Sequence, residues 1–185
     1  MSEKAPRLTF IEYGIFLAFG ASLRATCNRC KVGCVLFDKN KRVIGTGYNG
    51  SPAGAPQCDE VGHLMVDGHC VGTTHSEKNG VLFIGNRSLF EDGYCFVTAR
   101  PCINCFKLLV SQGVKHIYYL MDYRKEDNQD EIDRSCQEYK INLVKVNFNI
   151  EDLFRKAIAF HQASGGLLTN RYPLTIEERF PEGSE

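Results

Sequence analysis

Apolar residues crowd positions 10–23, and Thr9 and Glu12 stand in front of them at capping-box spacing, so a first helix is predicted over residues 10–24. Two β-type runs, residues 31–37 and 42–48, flank the polar Asp38-Lys39-Asn40-Lys41 and predict a hairpin. Residues 49–74 carry glycine and proline and no period of their own. A segment of that length inside a compact domain is usually functional or held by a metal. Beyond it the pattern alternates. Helices are predicted over 75–84, 102–112 (closed by Gly113), 126–139 and 151–162, and strands over 94–98, 115–121 and 142–146. Helices between strands imply parallel pairing, and the opening hairpin makes the sheet mixed. The expected fold is α/β, a three-layer α-β-α sandwich around a mixed five-stranded sheet. One domain is expected over residues 1–162, with an irregular C-terminal tail, 163–185, containing Pro173 and Pro181.

The length of 185 residues suits one domain, and 43% hydrophobic with 24% charged residues excludes a disordered chain or a coiled coil. Twenty-two basic side chains balance twenty-two acidic ones. A dedicated nucleic-acid binder would be basic, so no stable nucleic-acid partner is expected, whereas a small anionic substrate held by one or two arginines fits. No apolar run approaches the roughly 18 residues of a membrane span, and Met1-Ser2-Glu3-Lys4 opens no signal peptide. The expected protein is cytoplasmic with no membrane contact.

Nine cysteines change the picture. An odd count without a secretion signal argues against a disulfide framework, and cysteines clustered near histidine point to metal. Cys34, Cys95 and Cys136 fall in apolar stretches and read as core residues. Two of the others, Cys102 and Cys105, stand in Pro101-Cys102-Ile103-Asn104-Cys105, which with His75-Ser76-Glu77 makes a pair of motifs, each opening a predicted helix. Cys102 and Cys105, three apart on one helical face, can reach one ion, and the helix N-terminus favours their thiolates. His75 supplies a third ligand. Three protein ligands and an open tetrahedral position describe a catalytic rather than a structural zinc. Glu77 is close enough to exchange protons at that site without ligating the metal.

His-x-Glu followed by Pro-Cys-x-x-Cys is the signature of zinc deaminases. On these residues the chain resembles the zinc-dependent cytidine deaminase superfamily. Three further segments narrow the resemblance to the deoxycytidylate (dCMP) deaminase family with its late-competence relatives: Arg24-Ala25-Thr26-Cys27 leading into Val32-Gly33, Gly47-Tyr48-Asn49-Gly50-Ser51-Pro52, and Cys58-Asp59-Glu60-Val61-Gly62-His63. The resemblance covers roughly residues 9–146. It implies a cytidine deaminase-like fold, zinc-dependent hydrolysis of dCMP to dUMP and ammonia in pyrimidine deoxynucleotide metabolism, and a homo-oligomer, commonly a hexamer. It also implies regulation by dCTP and dTTP, with Mg2+ accompanying the effector. The chain departs from the family's His-Ala-Glu-x-Asn-Ala at Ser76 and Gly80, and Gly72 replaces a frequent arginine.

In this reading Glu77 moves protons, the backbone around Ala99 meets the base edge, and by resemblance Asn49 contacts the sugar. Arg24 and Tyr123 are the candidates for the 5′-phosphate. Cys27, Cys58, His63 and Cys70 are expected to hold a second, structural zinc that staples the long segment, with Cys30 as a competing ligand and buried free thiols as the alternative. The rival functions are another zinc deaminase acting on a nucleoside, nucleotide or nucleobase, and a non-catalytic nucleotide-binding regulator on the same fold. An intact Glu77 argues against the regulator.

Overall fold

The computed structural model describes residues 7–122 and 129–163. Residues 9–148 form one compact unit, and the described residues before 9 and after 148 belong to a second. The sequence reading kept everything up to 162 together. Tyr123 and residues 164–185 of the expected tail lie outside the described residues.

Thr9 starts helix α1 (Phe10–Ser22) with the reciprocal pair its spacing predicts: its Oγ1 accepts from the Glu12 N–H at 3.3 Å, and Glu12 Oε2 accepts from the Thr9 N–H at 2.7 Å. Strands β1 (Gly33–Phe37) and β2 (Val43–Tyr48) form the predicted antiparallel hairpin. The long segment is less featureless than its composition suggests. It holds a one-turn helix α2 (Cys58–Val61) and a two-residue ribbon, β3 (Met65–Val66) with β4 (His69–Cys70). Helix α3 (Ser76–Leu82), strand β5 (Gly93–Ala99), helix α4 (Ile103–Gln112), strand β6 (Val114–Met121), helix α5 (Gln129–Glu138) and strand β7 (Asn142–Lys145) follow, and helix α6 (Ile150–Ala163) stands in the second unit. Gly113 closes α4 in the left-handed region at φ 111°, a conformation that costs glycine little.

The main sheet is mixed, in the order β2-β1-β5-β6-β7. β5, β6 and β7 run parallel, and β1 is antiparallel to both its neighbours. The crossover through α3 therefore joins β2 to β5 with β1 between them, which the alternation of helix and strand does not reveal. All five residues of β1 are buried, as a strand covered on both faces requires. Phe37, Tyr94 and Phe96 turn one face toward Phe10 of α1, with ring centroids 5.1–5.3 Å apart. Residues of opposite pleat, Cys34, Leu36, Cys95 and Val97, pack with Phe106 and Leu109 of α4.

Helix α3 sits against β2 backbone to backbone. A Cβ on Gly47 would lie 2.1 Å from the Ser76 carbonyl oxygen and 2.4 Å from the Gly80 N. Gly80 is itself buried, so its small size serves this approach, and its departure from alanine is a packing feature. Gly47→Ala is expected to push α3 off the sheet and cost at least about 2 kcal/mol, since overpacked sites of this kind typically lose 1–3 kcal/mol. Thermal unfolding reads this as a drop of roughly 4 °C or more. An unchanged midpoint would mean that α3 can shift freely.

Candidate active site and metal centres

Two helix starts converge where β5 ends. His75 is the N-cap of α3 and Cys102 the N-cap of α4, both with extended backbone, and neither side chain caps its own helix. Both are thereby free to face outward from the helix ends. His75 Nδ1 lies 3.5 Å from each of Cys102 Sγ and Cys105 Sγ, and the three ligand atoms are all within 4.8 Å of one another. The two sulfurs and the imidazole divide the charge unequally. The hydrogen bond from Cys105, helped by His75, pulls the Cys102 thiol down to about 3, while donating that bond and being buried push Cys105 up. The hydrogen bond with Cys102 raises His75. A thiolate, a thiol and an imidazole around one point are a donor set suited to a soft divalent ion, with room for the second thiol to lose its proton on binding.

Glu77 stands beside this triad, 4% exposed, and burial raises its carboxyl above the ordinary range. The Ser76 hydroxyl, fully buried, donates to Glu77 Oε2 at 2.9 Å. His75, Glu77 and Cys102 open onto a cleft also lined by Asn49, Ala99, Arg29, Cys27 and Cys70. A buried carboxyl held above its ordinary range, three side chains that could hold one metal ion and an adjoining cleft can together activate water against a bound electrophile.

Asn49 is 8% exposed and clamps the chain around it. Its Oδ1 accepts from the Val32 N–H at 2.7 Å and its Nδ2 donates to the Cys30 carbonyl at 2.8 Å. One Nδ2 hydrogen and one oxygen lone pair remain to face the cleft. Ala99 ends β5 at the cleft wall, and the Arg100 N–H beyond it is taken by the Met121 carbonyl at 2.8 Å. Arg24 is exposed after α1 and is not among the cleft residues. Arg29, unlike Arg24, does line it, its Nη2 donating to the Gly68 carbonyl at 3.3 Å, and so does His69. Sequence reasoning passed over both. The signal was their place in the chain, Arg29 two residues after Cys27 and His69 directly before Cys70: a fold that brings those cysteines together carries their neighbours with them.

A second cluster is built by the long segment. The ligand atoms of Cys27, Cys58, His63 and Cys70 all lie within 4.8 Å of one another, with Cys58 and Cys70 sulfurs 3.6 Å apart and Cys27 Sγ 3.7 Å from His63 Nδ1. Asn28 Oδ1 accepts from His63 Nε2 at 2.7 Å, which fixes the proton there and leaves the Nδ1 lone pair toward the sulfurs, the outer-shell bond typical of a ligating histidine. Burial, with the bond to Cys70, pushes Cys58 up to about 11; the bonds from Cys58 and the Gly72 backbone outweigh burial and lower Cys70. Cys30 is not in the cluster. Among the described residues, no helix is long and apolar enough to cross a membrane.

Residues 9–121 match the family described as the cytidine and deoxycytidylate deaminase zinc-binding region. The chain is 37% identical over 127 residues to ComE operon protein 2 of Bacillus subtilis, covering 68% of this chain and 67% of the relative. It is 31% identical over 172 residues to the deoxycytidylate deaminase of Enterobacteria phage T2, covering 71% and 91%. Among solved structures, the dCMP deaminase of cyanophage S-TIM5 in complex with dCMP and dUMP superposes with a TM-score of 0.60 at 26% identity, covering 76% of this chain and all of that one.

Proposed function

The chain belongs to the zinc-binding cytidine and deoxycytidylate deaminase family of hydrolytic deaminases, and from that premise we propose that it hydrolyses dCMP to dUMP and ammonia. The observation that carries the reading is Glu77, buried and outside the His75/Cys102/Cys105 cluster of ligand atoms, next to that triad at the mouth of one cleft. That donor set fits zinc, and a zinc ion held there would supply Lewis-acid activation of the attacking water. Glu77 takes the proton that water loses as its oxygen bonds to C4 and delivers it to N3 of the cytosine ring; it then takes the proton of the new C4 hydroxyl and passes it to the amine as the C4–N bond breaks, one carboxyl serving as base and then as acid. The chain around Ala99 meets the edge of the base, and Asn49 offers its remaining amide hydrogen to the sugar.

The phosphate reading moves from Arg24 to Arg29, supported by the position of Arg29 on the cleft wall beside His69, a place Arg24 does not share. We also read the Cys27/Cys58/His63/Cys70 cluster as a second, structural zinc site. A homo-oligomer is supported by Leu82 and Phe83, which are 71% and 86% exposed at the end of α3, with Val61 and Leu64 exposed in the long segment. The deciding experiment is ammonia release from dCMP, CMP, deoxycytidine and dCTP. dCMP is expected to give the highest kcat/KM. In Arg29→Ala the KM for dCMP should rise about tenfold or more, the worth of a charge-assisted hydrogen bond, with deoxycytidine little changed. Equal turnover of dCMP and deoxycytidine by the native chain would overturn the nucleotide reading.

A further inference from the structure

The mechanism uses Glu77 and leaves its neighbour unexplained. Ser76 is the first residue of α3 and is wholly buried, so its hydroxyl hydrogen has no water to turn to. The partner it finds is Glu77 Oε2, 2.9 Å away, across a contact between adjacent side chains. A buried hydroxyl could instead have bonded back into the helix, as serines near helix starts commonly do. Here the backbone of Ser76 is also held, because its carbonyl faces the bare backbone of Gly47 too closely for any side chain to intervene. Hydroxyl and carboxyl are therefore fixed on one rigid helix start.

We propose that Ser76 is a positioning residue for Glu77: by donating to Oε2 it orients the carboxyl plane and reserves Oε1 as the oxygen that accepts and releases the protons of deamination. The inference rests on the deaminase reading above, and on nothing about which nucleotide is bound. Its chemistry is simple. The donated bond occupies Oε2 in both the ionised and the protonated carboxyl, so a proton taken from water is held on Oε1, and the same oxygen returns it to the substrate. No bond other than that of the travelling proton is made or broken at Glu77. Without the hydroxyl, the carboxyl keeps only the hydrogen bond from its own backbone N–H and can turn further about its last torsion, which is broad and roughly two-fold, so the proton is delivered in poorer alignment.

Ser76→Ala removes one oxygen and adds nothing, so the chain should fold with an unaltered melting temperature and metal content. Its kcat is expected to fall about tenfold with KM within twofold, and Ser76→Thr, which restores the hydroxyl, should recover most of the loss. In a Glu77→Gln background, Ser76→Ala should cost no more than about twofold further, because the hydroxyl acts through the carboxyl. A readout free of turnover is the 13Cδ resonance of Glu77 in protein labelled at glutamate, assigned by its disappearance in Glu77→Gln. It should shift in Ser76→Ala and return toward its native position in Ser76→Thr. An unshifted resonance, or a kcat within twofold of the native value in Ser76→Ala, overturns the proposal. If dCMP proves a poor substrate and another aminopyrimidine the better one, the nucleotide reading fails, and the same comparison on that substrate still decides the role of Ser76.

Discussion

Glu77→Gln is expected to lower ammonia release at least 100-fold while leaving metal content, melting temperature and product affinity near their native values. The size follows from the work assigned to the residue: positioned general acid–base catalysis is worth roughly 100- to 10,000-fold, and this carboxyl performs it twice in one cycle. The selectivity follows from position. Glu77 is outside the set of ligand atoms formed by His75, Cys102 and Cys105, so exchanging its oxygen for an amide takes nothing from the metal. It is 4% exposed, and glutamine has the same shape, so no cavity opens. The Ser76 hydroxyl keeps an acceptor as well, the amide oxygen of the new side chain. Metal analysis, dUMP calorimetry and an ammonia assay on one preparation separate the outcomes. Activity within about tenfold of the native chain would remove Glu77 from the proton path, and loss of the metal together with activity would make it a ligand.

Much of this site was legible because its cues are local. Thr9 and Glu12 announced a capping box three residues apart, and it formed with both bonds. Cys102 and Cys105 sit on one helical turn, and His75 opens a helix, so each motif carried its own geometry; their meeting needed only that β5 lead into α4 beside α3. The strand order was not legible. The β-type runs predict the hairpin of β1 and β2 but not that β5 will take the place on the other side of β1, since that choice depends on long-range packing. Cleft residues in irregular backbone were harder still. Arg24 and Arg29 differ little as text and both are exposed; only the turn after α1, which swings Arg29 toward Gly68 on the cleft wall, tells them apart. Asn49 was anticipated at the cleft by resemblance, yet its bonds to Val32 and Cys30 could not be, because they join positions seventeen and nineteen residues apart.

Native protein should carry two zinc ions per chain, and Cys58→Ser should carry one, losing the order of residues 58–74 and raising KM more than it lowers kcat. The segment has little else to hold it. α2 is a single turn, and the β3–β4 ribbon pairs two residues with two, both far below the lengths at which helices or hairpins stand alone. Val61, Leu64 and Val66 leave about half or more of their surface exposed and contribute little burial. Against that stands a backbone entropy cost of about 1–2 kcal/mol for each ordered residue. The four donors come from the turn after α1, the first residue of α2, the turn after it and β4, so one ion joins every piece of the segment to the domain. Serine at position 58 leaves three ligands and a weak fourth. The catalytic triad is untouched by this change, which is why kcat should hold. Cys27 and Cys70, however, line the same cleft as Glu77, and Arg29 is tied by hydrogen bond to Gly68 within the ribbon turn. A loosened segment therefore takes the wall of the substrate site with it. Hydrogen exchange over residues 58–74, metal counting and dCMP kinetics read the three effects separately. One zinc per chain in fully active native protein, or native exchange protection in Cys58→Ser, would show that the segment is ordered by something other than a metal.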